Sequence, residues 1–227
     1  TPYLKEGENK LAAQVFKWTS SSWCEDQDFF RFSGIYRDVY LYAIPEVHVS
    51  DVKIQTLLDD TFTKADLVID TKATKAGKVK ITLSKDGKEL QSVEETLAEE
   101  SQYVMKVENP ELWSAESPVL YDLLLEVMDE NGQVTEVIPQ RVGFRRFEMK
   151  DSIMMLNGKR IVFKGVNRHE FSSVSGRVVS REELIKDLVT MKQNNINAIR
   201  TCHYPDAVGI YELCDEYGIY MIAECNL

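Results

Sequence analysis

The sequence predicts three parts in succession: the closing strands of one β-sandwich, a complete small antiparallel sandwich, and the first β/α units of a parallel sheet. Three observations carry this. Between residues 47 and 146, short runs with apolar residues at every second position recur, separated by Gly/Asn/Asp turns. From residue 147 onward, strand-like and helix-like stretches alternate instead. Two of those later strands also finish alike, IVFKGVNRHE (161–170) in Arg168 and His169, and NAIRTCHYP (197–205) in Arg200 and His203. Basic and imidazole side chains gathered at strand C-termini mark the chemical rim of a parallel β/α sheet.

The bulk properties narrow the function classes. A chain of 227 residues can bury more than one core. Its net charge is −10 and no basic cluster interrupts it, which argues against nucleic acid as a partner. The four cysteines (Cys24, Cys202, Cys214, Cys225) show no CxxC spacing, so reduced thiols in the cytoplasm are expected. No apolar run is long enough to span a membrane and nothing resembles a signal peptide. The chain opens on Thr1-Pro2 without an initiator Met and stops at Leu227 straight after a strand-like run, so a piece of a longer protein is expected.

Taken in order, residues 1–46 hold strand-like runs at Leu11 to Trp18 and at Ile35 to Tyr42, too few to close a two-sheet core alone. Between them the loop SSSWCEDQDFFRFSG (20–34) sets Trp23, Phe29, Phe30 and Phe32 around Glu25, Asp26 and Asp28. It reads equally as an interdomain plug or as one wall of a ligand pocket. Residues 47–146 alternate in Val52/Ile54/Thr56, Leu67/Ile69, Val79/Ile81/Leu83, Tyr103/Met105/Val107 and Tyr121/Leu123/Leu125/Val127, and close on Val142 and Phe144. With turns at Lys85-Asp86-Gly87 and Asp129 to Gly132, this is a sandwich of immunoglobulin-like size. Pro110, Trp113 and Pro118 belong to a packed connection between strands, and His48 reads as a solvated strand residue.

Residues 147–227 begin with a hairpin through Asn157-Gly158. Ser180 and Glu183 form a capping box for a helix whose face is Leu184, Ile185, Leu188 and Met191. Ile196 to Thr201 is the next parallel strand. Asp206 is expected to cap a second helix with Val208, Tyr211 and Cys214 inward, stopped by Gly218. Ile219 to Ala223 is a third strand, delivering Glu224. Arg168, His169, Arg200, His203 and Glu224 would then converge, a set suited to a polyhydroxylated or anionic ligand. Glu170, beside His169, is as apt to neutralise an arginine as to meet a ligand.

The stretches NAIRTCHYPDAVGIYELCDEYGIYMI, GVNRHE, EDQDFFRFSGIYRDV and NPELWSAESPVLY together resemble glycoside hydrolase family 2, in particular its β-galactosidases. The resemblance implies a multidomain protein: the end of a sugar-binding jelly-roll β-sandwich at 1–46, an immunoglobulin-like β-sandwich at 47–146, and the first units of a (β/α)8 TIM barrel at 147–227. It implies that Asp28, His169, His203 and Arg200 hold the galactoside substrate and the transition state, that Asp28 also binds Na+, and that Arg168 and Glu224 support them. Ala223 and Cys225 stand where the family pattern has Asp and Ala. The acid/base and nucleophile glutamates of retaining hydrolysis, and the Mg2+ ligands, are expected beyond Leu227, so no catalytic residue is expected in this chain, and the chain alone is expected to be inactive. The resemblance further implies a homo-oligomer or a complementing subunit. β-Glucuronidase and β-mannosidase share the architecture and remain alternatives, as does a non-catalytic carbohydrate-binding or assembly subunit.

Overall fold

The computed structural model describes residues 3–25, 28 and 30–225. Asp26, Phe29, the Glu25 side chain and both chain ends lie outside them. Residues 3–46 contain one short helix, α1 (Ser21–Glu25), and no strand among those described. The strands expected at Leu11 to Trp18 and Ile35 to Tyr42 are thus corrected. A strand exists by ladder pairing rather than by its own propensity, and here Leu11, Trp18 and Leu41 stand exposed with no ladder partner.

The second part is an antiparallel sandwich. Its strands are β1 (Val49–Leu58), β2 (Lys64–Ala73), β3 (Gly77–Lys85), β4 (Lys88–Leu97), β5 (Glu100–Glu108), β6 (Tyr121–Met128) and β7 (Val134–Val142). They pair as one sheet in the order β1-β2-β5 and another in the order β4-β3-β6-β7. The alternation read from the sequence points inward as expected: Leu67, Ile69, Val79, Ile81, Leu83, Met105, Leu123, Leu125 and Val127 are buried in one core. Each such side chain stabilises the fold by about 1.5–3 kcal/mol relative to exposure. Asp86 and Gly87 both take positive φ (51° and 75°), the turn that lets β3 and β4 keep their twist. His48 is not solvated: its Nδ1 lies 2.9 Å from Glu136 Oε1, and both side chains are largely covered.

The connection between β5 and β6 is the joint to the third part. Trp113 is buried there, and its indole N–H donates to the Asp215 carbonyl at 2.7 Å. Lys192 Nζ donates to the carbonyls of Ala115 (2.6 Å) and Gly218 (3.1 Å), and Arg145 pairs with Asp215 at 2.9 Å. These bonds cross from the sandwich to the helices beyond it.

The third part opens with a three-stranded antiparallel sheet, β8 (Phe147–Lys150), β9 (Ile153–Leu156) and β10 (Lys159–Arg160), in the order β10-β9-β8. The β9–β10 turn is Asn157-Gly158, as expected, with φ of 50° and 73°. Then come β11 (Gly165–Arg168), α2 (Arg181–Gln193), β12 (Ala198–Thr201), α3 (Val208–Tyr217) and β13 (Tyr220–Ile222), with parallel strand order β11-β12-β13. Ser180 Oγ accepts from the Glu183 N–H (3.2 Å) and Glu183 Oε2 accepts from the Ser180 N–H (2.9 Å), so the capping box starts α2. Leu184, Leu188, Ile199, Ile210, Leu213, Cys214 and Ile219 form the second core. Two expectations for α3 are corrected. Its first turn is preceded by Ala207, and Asp206 makes no cap. Val208 is exposed, while Ile210 and Leu213 face inward with Cys214. Gly218 stops α3 with φ 71°.

Candidate functional site

Because β11, β12 and β13 run parallel in register, their C-terminal ends bring residues 167–169, 200–204 and 224 to one rim. Arg200 Nη2 lies 2.6 Å from Glu224 Oε2. Its Nη1 donates to Asn167 Oδ1 at 3.3 Å and approaches Cys202 Sγ at 3.3 Å. The Glu224 backbone N–H donates to Thr201 Oγ1 at 2.9 Å, which fixes the carboxylate next to β12. The peptide bond between Cys202 and His203 is cis.

His203 Nδ1 is 3.3 Å from both Arg200 Nη2 and Glu224 Oε1. One nitrogen serves only one of them. Protonated at Nδ1, the ring donates to Glu224 and offers Nε2 as an acceptor; unprotonated there, it accepts from Arg200 and presents Nε2–H as a donor. His169 stands edge-on to His203, ring centroids 5.6 Å apart, with its Nδ1 3.5 Å from the Tyr204 hydroxyl. Burial, aided by His203 and Arg177, holds the His169 imidazole below its ordinary 6.5, while the Asp28 carboxylate opposes that shift. His169 is therefore neutral at pH 7 and can donate through one ring nitrogen and accept through the other.

Arg168 does not face this rim. It is buried, donates to Asp206 Oδ2 at 2.6 Å and to Asp187 Oδ2 at 3.0–3.1 Å, and so ties β11 to α2 and to the segment before α3. That ion pair is why Asp206 is not a helix cap. Burial nevertheless pushes the Asp206 carboxyl up to about 6, against the pull of Arg168 and with a push from Glu170. Glu170, fully buried, pairs with Arg37 at 2.5 Å and accepts the Ala207 N–H at 2.8 Å. It neutralises an arginine.

The aromatic loop reaches the rim in part. Phe30 and Phe32 stack on Phe171, centroids 4.7 and 5.7 Å apart, whereas Trp23 is exposed. Asp28 is exposed and near enough to His169 to act on its charge. Arg177 carries no signal in the sequence; its guanidinium lies over the rings of Tyr204 (3.9 Å) and Tyr36 (4.7 Å) and donates to the Tyr36 hydroxyl at 3.3 Å. No spacing signal could have found this contact, since Tyr36 and Arg177 are 141 positions apart.

Among the described residues, one group of three metal-ligating side chains gathers: His169, Cys202 and His203. Mg2+ and Na+ take hard oxygen donors. This nitrogen and sulfur set does not fit either ion, and Asp28 is not part of it, so no step is derived through them.

Three family models match the chain end to end: the sugar binding domain of glycosyl hydrolases family 2 at residues 1–45, glycosyl hydrolases family 2 at 47–145, and the TIM barrel domain of the same family at 147–227. Among curated proteins, the chain is 50% identical to a β-galactosidase of Halalkalibacterium halodurans and 51% to one of Clostridium acetobutylicum, over 100% of this chain and 23% and 26% of theirs. It is 43% identical to a β-galactosidase large subunit of Lactobacillus acidophilus, over 100% of this chain and 37% of that one. The chain thus spans about a quarter of the first two relatives and somewhat over a third of the last. Among solved structures, Bacteroides uniformis β-glucuronidase 3 matches with TM-score 0.81 at 30% identity, over 89% of this chain and 26% of that one. A β-D-glucuronidase of Dictyoglomus thermophilum matches with TM-score 0.78 at 28% identity, over 87% and 33%.

Proposed function

The chain belongs to glycosyl hydrolases family 2, and on that premise we propose that it forms the substrate-holding part of a β-galactosidase, with His169, His203 and Asp28 binding sugar hydroxyls. The observation that carries the reading is the state of the rim arginines. A glucuronide brings a carboxylate that asks for a free cation, usually an arginine fork. Here Arg200 is committed to Glu224, Arg168 to Asp187 and Asp206, and Arg37 to Glu170. Arg177 is buried between two tyrosine rings. Among the described rim residues what remains is hydroxyl chemistry: imidazoles that donate and accept, and one exposed carboxylate. This favours a neutral galactoside, in keeping with the names of the sequence relatives, over the glucuronides named for the structural neighbours.

In this reading His203 and His169 grip ring hydroxyls, and Arg200 holds Glu224 in place from one side while His203 steadies it from the other. Retaining hydrolysis needs two carboxylates flanking the glycosidic bond, about 5–5.5 Å apart. Among the described residues, Glu170 is buried against Arg37 and Glu224 is engaged by Arg200 and His203. We therefore assign proton transfer and nucleophilic attack to glutamates in a further part of the barrel, and expect the 227-residue chain to be inactive alone. No described helix is long and apolar enough to cross a membrane. All four cysteines are free, which supports a reducing, cytoplasmic setting.

The test is a substrate profile of the polypeptide that carries this chain together with its barrel. Hydrolysis of p-nitrophenyl β-galactoside should exceed that of the β-glucuronide and β-mannoside by at least about 100-fold in kcat/KM, since a missing or misplaced polar partner costs several kcal/mol. A glucuronide preference would overturn the reading, and turnover by the 227-residue chain alone would overturn its assignment of the two glutamates.

A further inference from the structure

Beside the two rim imidazoles stands a thiol that sugar binding does not require. His169, Cys202 and His203 each offer one ligand atom, and those atoms all lie within 4.8 Å of one another. Two imidazoles and a thiol are soft and borderline donors, the combination that selects zinc-like ions over Mg2+ or Ca2+. In a tetrahedral site with metal–nitrogen and metal–sulfur bonds of about 2.0–2.3 Å, neighbouring ligand atoms stand about 3.3–3.6 Å apart. The three groups therefore need to close by about 1 Å, within the reach of side-chain rotation at two half-buried histidines.

Their surroundings suit ligation. Glu224 Oε1 lies 3.3 Å from His203 Nδ1, and the Tyr204 hydroxyl 3.5 Å from His169 Nδ1. A carboxylate or hydroxyl on one ring nitrogen is the arrangement that orients the other toward a metal. Arg200 stands 3.3 Å from both Cys202 Sγ and His203 Nδ1, and its charge, which would oppose a dication, is balanced by Glu224 at 2.6 Å; ligation at Cys202 replaces the Arg200 contact on the sulfur.

We propose that His169, Cys202 and His203 form a binding site for a thiophilic divalent cation of the Zn2+ class, three protein ligands with the fourth position left to water. On binding, a metal–sulfur bond forms at Cys202 and the thiol proton passes to solvent, so the protein loses one proton per ion. The site stands on its own donor set. One consequence rests on the sugar reading above: because the ion takes the same two imidazoles, ion and galactoside exclude each other, and the ion acts as an inhibitor.

Titration of the reduced 227-residue chain with Co2+ tests this, because a cobalt–thiolate bond gives a near-ultraviolet charge-transfer band. One equivalent should produce the band. Cys202→Ser should abolish it and weaken competing Zn2+ at least about 10-fold, and His169→Gln should weaken Zn2+ to a similar extent. Cys24→Ser, Cys214→Ser and Cys225→Ser should leave both unchanged. A band that survives Cys202→Ser, or that disappears with Cys225→Ser instead, would overturn the site. Saturating galactose should bleach the band in the parent chain. If the band persists in galactose yet still vanishes with Cys202→Ser, the site stands and mutual exclusion is overturned.

Discussion

At the scale of single residues, the rim works by commitment. Each arginine there is held, by a carboxylate or, for Arg177, by two tyrosine rings, and what is left to meet a ligand is two imidazoles and the exposed Asp28 carboxylate. His169 is the clearest case, because burial, His203 and Arg177 all press its imidazole toward the neutral form and Asp28 alone among the named influences resists. The chain has three histidines, so their titrations can be followed individually by NMR. His169 should titrate below 6.5, and Asp28→Asn should lower its midpoint further. A midpoint unmoved by that substitution would show that Asp28 does not reach His169. The residue types in NRHE and RTCHYP pointed to this rim from the sequence alone. Their separate fates did not show there. Arg168 and Arg200 occupy similar strand-end positions, yet one is buried against Asp206 and Asp187 while the other pairs with Glu224 at the rim, and only three-dimensional pairing separates them. Asp206 reads as a helix cap for the same reason: a local preference worth about 1 kcal/mol yields to a buried partner for Arg168.

At the scale of elements, the joint between the sandwich and the β/α part rests on Gly218. Its φ is 71°, and a Cβ placed there would meet the Ala115 carbonyl oxygen at 2.3 Å. Gly87 has a similar φ of 75° but nothing within 4 Å. Substituting alanine at Gly87 should therefore cost only backbone strain, about 1–2 kcal/mol. At Gly218 the same strain adds to a backbone overlap, and a loss of roughly 2–4 kcal/mol is expected. Urea midpoints of the two variants check this, and equal losses would mean that the joint yields freely. Elements with a buried face were legible in advance. β3 and β6 alternate cleanly, and the capping box placed α2. β4 is not legible in the sequence, because it is an edge strand whose residues Lys88–Leu97 are mostly exposed or half-buried, so no apolar period marks it. β7 also lies at an edge and carries Pro139, a residue that argues against a central strand. Conversely, the runs at Leu11 to Trp18 and Ile35 to Tyr42 have strand-like residues but find no ladder among the described residues.

At the scale of the whole molecule, residues far apart in sequence meet at the rim. Arg37 grips Glu170 across 133 positions, Tyr36 receives Arg177, and Phe30 and Phe32 lie on Phe171. The first part of the chain thereby forms a side of the site that the β/α part builds, and the sandwich between them serves as a spacer locked at Trp113 and Gly218. The central claim is that His169 and His203 contact a neutral sugar. The imidazole signals of the chain, recorded during a titration with galactose, test it most directly. His48, held by Glu136 on the sandwich, is the internal control. Galactose should shift His169 and His203 and leave His48 in place, while glucuronate at the same concentration should shift none of them. Rim histidines that stay still in galactose, or that respond as strongly to glucuronate, would contradict the account.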